Sequence, residues 1–308
     1  MNTLIVITGP TASGKTGLAV KLARSLGCDI IGADSRQMYR DIPIVTAAPT
    51  PEELQGVTHH FIGNLSLTDY YSAARYEDDT LSMLPSLFER GGGVAVMCGG
   101  SMMYVDAVVK GIDTLPTISD EVRTRVLDLY NTQGLDTVME QLRALDPEYA
   151  AIVDPANHRR VVHALEICLE AGCSYTSLRT GRVKTRPFNI LKFAIDLPRP
   201  DLFERINTRV EQMAASGLVE EASRVYPLKG LNSLNTVGIK EMFAYFEGEF
   251  TLRQALDRMA KNTRVYAKKQ LTWLKRDSDI ITLTSNDPEP VINALESLRR
   301  NQAPRSGK

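Results

Sequence analysis

Gly9-Pro10-Thr11-Ala12-Ser13-Gly14-Lys15-Thr16 fits G-x-x-x-x-G-K-[ST], the phosphate-binding loop. Its flanks support the same reading. Leu4 to Thr8 is a short apolar, β-branched run of strand character, and Gly17 to Leu26 repeats Leu18, Leu22 and Leu26 at the spacing of one helix face. A glycine-rich turn between strand and helix lets successive backbone N–H groups wrap a phosphate at the helix N-terminus. Lys15 adds a point charge and Thr16 a hydroxyl able to ligate Mg²⁺. The expected ligand is a di- or triphosphate held by residues 9–16, with Mg²⁺ at Thr16. The motif by itself names neither the compound nor what is done to it.

Further strand-like runs follow at Asp29–Asp34, Val94–Cys98, Ile190–Ile195 and Ile280–Leu283, with helical stretches between them. That alternation predicts an α/β fold with a P-loop NTPase-like core, a parallel sheet with helices on both faces. Ligands of such sheets sit beyond the C-terminal strand ends, and that edge collects Thr8-Gly9, Asp34-Ser35 and Gly99-Gly100-Ser101. From about Ile112 to Pro187 the pattern changes to helix only, at Asp120–Tyr130, Leu135–Ala144 and Asn157–Glu170. The stretch begins after Lys110-Gly111 and ends at Thr185-Arg186-Pro187, both hinge-like. The expected organisation is a core from 1–111 and 188–308 carrying an all-helical insertion at 112–187; the alternative is that these helices complete the core. The polar tail from Asn301 is expected to be disordered.

Composition narrows the classes. With 43% hydrophobic and 24% charged residues in 308, the chain can bury one large core or two smaller ones. A net charge of −1 gives no global basic field, so any nucleic-acid surface must be local. Cys28, Cys98, Cys168 and Cys173 show no C-x-x-C spacing and read as reduced thiols rather than a disulfide or zinc framework. No signal peptide is expected from the opening residues, and no apolar run reaches membrane-spanning length. The expectation is a cytoplasmic protein, monomeric and with no membrane partner.

Asp34 ends its strand on the phosphate-loop edge, where a carboxylate serves as general base, metal ligand or helix cap. The partner strand of a phosphate-loop ATPase ends in an Asp that holds Mg²⁺; here it ends in Cys98-Gly99-Gly100-Ser101, which weakens the ATPase reading. The glycines permit close backbone approach, and Ser101 offers a hydroxyl or a helix cap. Two basic clusters stand out: Arg179, Arg182, Lys184, Arg186 and Lys192, and then Arg258, Lys261, Arg264, Lys268 and Lys275 at helical spacing with Lys269 and Arg276 beside them. Either is a solvated face or, with Tyr266 and Trp273 interleaved, a surface for a phosphate backbone. Asn157-His158-Arg159-Arg160 opens an insertion helix with more positive charge. His59-His60 has no further ligand at metal spacing and reads as structural.

In order, these pieces resemble the tRNA dimethylallyltransferase family, of bacterial type, from about Leu4 to Arg276. The resemblance is carried by the phosphate loop, Asp34-Ser35-Arg36-Gln37-Met38-Tyr39-Arg40, Gly99-Gly100-Ser101, Asp154-Pro155-Ala156-Asn157 through Arg160, Arg205-Ile206 to Arg209-Val210, and Tyr266-Ala267-Lys268-Lys269-Gln270-Leu271-Thr272-Trp273. It implies transfer of a dimethylallyl group from its diphosphate to the exocyclic N6 amine of the adenosine beside the tRNA anticodon. By that resemblance the partners are tRNA and dimethylallyl diphosphate, and Mg²⁺ is the cofactor. The phosphate loop holds the leaving diphosphate, Lys15 and Arg209 stabilise its charge, Asp34 is the base, and Ser101 stands where the family usually has Thr. Family positions contacting tRNA fall on Asp34, Ser35, Arg36, Gln37, Ser101 and Arg123, and on Arg159, Arg160, Val161, Val162 and His163, with Lys268 and Lys269 added by the basic stripe. Three features depart from the family: Ala48 replaces a lysine, His163 replaces a second Arg, and no Cys/His zinc segment follows Trp273. Three other readings remain: a small-molecule phosphate-loop kinase, a prenyltransferase acting on free AMP or ADP, and an RNA-binding module with a relict nucleotide site.

Overall fold

The computed structural model describes residues 1–302. The tail from 303 onward lies outside the described residues, whereas Asn301 and Gln302, expected to belong to it, complete the last helix. In chain order the elements are β1 (Thr3–Thr8), α1 (Lys15–Leu26), β2 (Ile30–Gly32), α2 (Pro51–Leu54), β3 (His59–His60), α3 (Ala73–Arg90), β4 (Val94–Cys98), α4 (Met102–Val109), α5 (Asp120–Leu145), α6 (Pro147–Ile152), α7 (His158–Ala171), α8 (Tyr175–Leu178), β5 (Asn189–Ile195), α9 (Arg199–Ala215), α10 (Leu218–Val225), α11 (Ile239–Phe246), α12 (Leu252–Leu274), β6 (Ile280–Leu283) and α13 (Glu289–Gln302). None of these helices is long and apolar enough to cross a membrane.

The six strands form one parallel sheet in the order β3-β2-β4-β1-β5-β6. β1 is buried along its whole length, which is why it reads as a continuous apolar run rather than an alternating one. Ile5, Ile7, Val96, Phe193 and Ile195 face one side, against Leu18 and Leu22 of α1 and Val291 and Leu295 of α13. The alternate residues Leu4, Val6, Ala95 and Met97 are buried on the opposite face. There α3 packs on β4 and α4, and the buried Tyr76 hydroxyl donates to the Gly32 carbonyl at 2.8 Å. β3 is an element the sequence did not announce. Its two histidines lack an apolar run, and they are held by side-chain contacts, His60 Nε2 to Asp29 Oδ2 at 3.0 Å and His59 Nδ1 to the Val57 carbonyl at 3.0 Å.

From β1 the chain moves toward the β3 edge, and from β4 it moves toward the β6 edge. The direction reverses between β1 and β4, so the binding crevice of a parallel sheet lies beyond the C-terminal ends of those two strands. The strand ends are cross-linked there: Ala33 N donates to Cys98 O at 2.8 Å, Ser101 N to Ala33 O at 3.1 Å, and Gly99 N to Ile7 O at 3.2 Å. Only glycine fits at 99, since a Cβ would lie 2.1 Å from the Ala33 carbonyl oxygen.

The described chain divides into two compact units, Met1–Val109 with the chain from Thr185 onward, and Lys110–Lys184. The second unit is α5 to α8, without a strand among the described residues. Gly134 (φ 82°, ψ 177°) breaks α5 between the two helical stretches expected there. Val126, Val138, Leu142, Val161 and Leu165 form its core. This corrects the expectation for Val161 and Val162 as tRNA contacts: both side chains are buried, and the exposed side chains of that run are Arg159, Arg160 and His163. The unit closes on itself where Lys184 N donates to Lys110 O at 2.7 Å.

Arg186 belongs to the first unit, three residues before β5. Its guanidinium meets Glu77 at 2.7 Å with both side chains buried, and donates to the Ala107 and Val108 carbonyls at 2.8 Å each. Lys192, partly buried, is paired with Asp277 at 2.7 Å. Neither cation contributes to a solvated basic face, contrary to the grouping expected from sequence. Glu77→Ala, which strands the Arg186 charge in the interior, is expected to destabilise the fold by about 3–5 kcal/mol; denaturant titration reads this, and a loss under about 1 kcal/mol would show that Arg186 is solvated.

Candidate active site

The phosphate loop adopts the conformation its glycines allow, with φ of 146° at Gly9 and 94° at Gly14, and with Ala12 also at positive φ. Gly14 caps α1 without a side-chain bond. The N–H of Ser13 donates to Pro10 O at 3.2 Å, and that of Thr11 to Gln270 Oε1 at 2.9 Å. The first-turn amides of Lys15, Thr16 and Gly17 find no acceptor among the described residues. The Ser13 hydroxyl is also buried without a hydrogen-bond partner among the described residues. Donors gathered in this way at a helix N-terminus fit an oxyanion.

Two adjoining cavities meet at the loop. The polar one, about 200 Å³, is lined by Gly14, Lys15, Thr16, Glu53, Cys98 and Gln270. The other, about 410 Å³, carries an apolar wall of Val45, Ile206, Val210, Met213, Val237 and Met259. Thr11, Asp34, Ala47, Arg209 and Tyr266 line both and form the waist.

Asp34 follows β2. Its Oδ1 accepts from Arg36 N at 2.9 Å and Gln37 N at 3.4 Å and so closes a turn over residues 35–38; no helix starts there, which corrects the helix-cap role weighed from sequence. Its Oδ2 accepts no hydrogen bond from the described residues, leaving one carboxylate oxygen for chemistry. Arg209, on α9, makes no hydrogen bond or ion pair among the described residues. Desolvation lowers its pKa, opposed by the charges of Glu53 and Asp34. An unengaged guanidinium in a desolvated cleft is a site for an anion. Burial likewise pulls the Lys15 ammonium below its ordinary value, against Cys98 and Asp34 and with the help of Arg209. Burial pushes the Cys98 thiol up to about 11, so it stays neutral beside the Thr16 hydroxyl.

Ser101 Oγ accepts from Ser35 N at 2.9 Å and donates to Ser35 Oγ at 3.2 Å. Its carbonyl accepts from Tyr104 N and Val105 N at the start of α4. Thus the helix-cap position and the site-facing hydroxyl coexist in one residue. Arg36 and Gln37, expected to face tRNA, brace the cavity wall. Arg36 donates to the carbonyls of Asn232, Ser233 and Asn235, and Gln37 Nε2 to those of Thr46 and Ala47 at 3.1 and 2.8 Å. Lys268 and Lys269 are exposed on α12, whereas Ala267 and Gln270 turn inward. Arg123, Arg159, Arg160 and His163 lie in the second unit.

Sequence reasoning missed three supports. Tyr266, taken as an aromatic within a basic stripe, lines the waist while 38% exposed; local desolvation of its hydroxyl, then the Asp34 charge, push its phenol up to about 12, so it remains a neutral group facing Ser101. Gln270 is buried between two loops. Glu221, fully buried, accepts from Ile44 N and Val45 N at 2.8 Å each and so fixes the loop behind the apolar wall. The i, i+4 spacing of Tyr266 and Gln270 was the available signal.

A parallel α/β core with a phosphate loop, an unengaged arginine and a free carboxylate oxygen around a two-lobed cleft defines a P-loop enzyme of group transfer. Residues 37–277 match the family model described as IPP transferase. The tRNA dimethylallyltransferase 1 of Phocaeicola vulgatus is 50% identical over 297 residues, 96% of this chain and 99% of that protein. That of Bacteroides fragilis is 50% identical over 295 residues, 96% of this chain and 98% of its own. The solved full-length tRNA isopentenylpyrophosphate transferase of Bacillus halodurans matches with a TM-score of 0.70 at 34% identity, over 98% of this chain and 96% of that one. A eukaryotic dimethylallyltransferase acting on tRNA shares the fold, with a TM-score of 0.80 at 23% identity over 99% of this chain and 81% of that one. The chain belongs to the IPP transferase family.

Arg209→Ala is expected to weaken binding of inorganic pyrophosphate by about 10–100-fold, the loss of a charge-assisted hydrogen bond worth roughly 1.5–3 kcal/mol. Isothermal titration measures it, and unchanged affinity would place the anion away from this guanidinium.

Proposed function

We propose that this chain is a tRNA dimethylallyltransferase, moving the dimethylallyl group from dimethylallyl diphosphate to the N6 amine of the adenosine beside the anticodon. The observation that carries the reading is the two-lobed cleft with Asp34 and Arg209 at its waist. A diphosphate in the polar lobe meets the amides of Lys15, Thr16 and Gly17, the Lys15 ammonium and Arg209. A five-carbon alkyl group in the apolar lobe gains about 4 kcal/mol at roughly 0.8 kcal/mol per buried carbon. The bond between them then lies at the waist. The wall of Val45, Ile206, Val210, Met213, Val237 and Met259 offers an alkyl group more contact than a hydroxyl acceptor would need, which favours alkyl over phosphoryl transfer.

In the transfer, the N6 lone pair forms the new C–N bond while the allylic C–O bond breaks and its electron pair leaves on diphosphate. Arg209 and Lys15 stabilise that charge as it builds, where exclusion of water strengthens each interaction. Oδ2 of Asp34 takes the proton from the amine. The adenosine must leave its stack to reach Asp34, at a cost of a few kcal/mol, offset by phosphate contacts elsewhere on the RNA. Arg123, Arg159, Arg160 and His163 are the proposed contacts in the second unit, joined by Lys268 and Lys269.

Mg²⁺ suits the hard oxygen donors of the polar lobe, the Thr16 hydroxyl with the Glu53 carboxylate nearby. No cluster of three or more His, Cys, Asp or Glu side chains stands ready for a metal among the described residues, so Thr16 would hold the ion together with diphosphate oxygens. When bound it supplies further charge neutralisation for the leaving group.

Asp34→Ala is expected to slow label transfer from dimethylallyl diphosphate into tRNA by about 10²–10⁴-fold with tRNA affinity retained; an unchanged rate removes Asp34 as base. Label entering free AMP but not tRNA would move the substrate to the nucleotide. Charge reversal of Arg159 and Arg160 together should lower tRNA affinity and flatten its salt dependence by about one to two units of log–log slope. An unaltered salt slope would take this helix out of the RNA contact.

A further inference from the structure

The side chain of Gln270 is 3% exposed and bonded at both ends of its amide. Oε1 accepts from Thr11 N at 2.9 Å, and Nε2 donates to the Gly100 carbonyl at 2.8 Å. Thr11 belongs to the phosphate loop after β1. Gly100 belongs to the loop after β4 that delivers Ser101, and through it Ser35. These are the two loops on either side of the point where the chain direction reverses in the sheet. Gly100 leaves room for the amide, since a Cβ there would lie 2.4 Å from Nε2. One turn on, Trp273 Nε1 donates to Asp106 Oδ2 on α4 at 2.7 Å, so α12 cannot slide along this contact.

The chemistry of the side chain is specific. An amide presents one acceptor and one pair of donors, a carboxylate presents acceptors only, and an aliphatic chain presents neither. The bond to Thr11 has a second effect. With the Thr11 N–H held by Gln270 and that of Ser13 held by Pro10, the loop and first-turn amides left to meet an anion are, among the described residues, those of Ala12, Gly14, Lys15, Thr16 and Gly17.

We propose that Gln270 is a positioning residue for the transfer. Its amide sets the offset between the phosphate loop, which holds the leaving group, and the Gly100-Ser101 loop, which flanks Asp34 on the acceptor side. The inference rests on the function proposed above. A misplacement of about 1 Å between reacting groups costs on the order of 10²-fold in rate, and this strut is the direct hydrogen-bonded link from α12 to both loops.

The test uses the full chain with Gln270→Leu and Gln270→Glu, measuring kcat, KM for dimethylallyl diphosphate, KM for tRNA, thermal unfolding, and rate against pH from neutral to mildly acidic. Gln270→Leu is expected to unfold cooperatively, to lose about 10²-fold in kcat/KM for the diphosphate, and to keep KM for tRNA within about twofold. Gln270→Glu is expected to be impaired at neutral pH, because its carboxylate opposes the Gly100 carbonyl. Its rate relative to wild type should rise as the pH falls, since the protonated carboxyl again donates to that carbonyl. Wild-type kinetics in both folded variants would overturn the proposal, as would impairment of Gln270→Glu that does not vary with pH relative to wild type. If Gln270→Leu does not fold, the pH response of Gln270→Glu decides alone. Wild-type enzyme that transfers no label into tRNA would refute the functional reading instead, a result separable from either variant's.

Discussion

Backbone donors without acceptors are costly in a folded protein, and here they are collected at one place, the first turn of α1. The loop that presents them is held in positive-φ conformations at Gly9, Ala12 and Gly14, of which Ala12 alone costs roughly 1–2 kcal/mol. Such a segment persists only if its surroundings determine it. β1 is buried between β4 and β5, α1 is seated by Leu18 and Leu22, and Gln270 holds Thr11. The orphaned amides, the desolvated Lys15 and the unengaged Arg209 are the groups that the proposed diphosphate would satisfy together. Much of the core serves to keep them pointed at a common volume.

The apolar lobe is assembled differently, from loops and helix faces rather than strand ends, and buried polar side chains hold it open. Glu221 fixes the backbone at Ile44 and Val45. Glu241 accepts from Gly238 N and from Asn262 Nδ2, at 2.6 Å each, beside Val237. Arg36 gathers the carbonyls from Asn232 to Asn235. The wall can then present methyl and thioether groups inward, because the polar backbone behind it is satisfied. One cleft thereby offers phosphate-type donors at one end and, at the other, an apolar wall among polar groups such as Lys240, Asn235 and Thr263.

What could be read from the sequence was what is local in it. The phosphate loop, β1, α1, β4 and the two helical stretches either side of Gly134 depend on spacing within a few residues, and they stand close to where spacing put them. Asp34 and Ser101 were legible because each lies within three residues of a strand's C-terminal end on the same edge, Gly32 of β2 and Cys98 of β4. Gln270 and Tyr266 were not, since their partners are far away in sequence, Thr11 and Gly100 in the case of Gln270. The basic run from Arg179 to Lys192 misled for the same reason: Arg186 and Lys192 find Glu77 and Asp277 from distant segments, and a linear charge count cannot see that neutralisation. Val161 and Val162 sit within a helix whose neighbouring residues are exposed, and only the packing of α5 on α7 shows which face each side chain takes.

The neck at Lys110 and Lys184 has a bearing on how the chain folds. There the second unit is pinched shut by a backbone hydrogen bond, and just beyond it Arg186 docks on the Ala107 and Val108 carbonyls. To the sheet, the whole intervening segment is a closed loop between α4 and β5. The entropy of closing such a loop grows only logarithmically, by about 0.6 kcal/mol per doubling of length. The pairing of β5 beside β1 is therefore nearly indifferent to what the loop contains. A segment of another length or sequence with the same two ends could be exchanged into this position, leaving the catalytic sheet its folding route while the surface it carries is free to diverge.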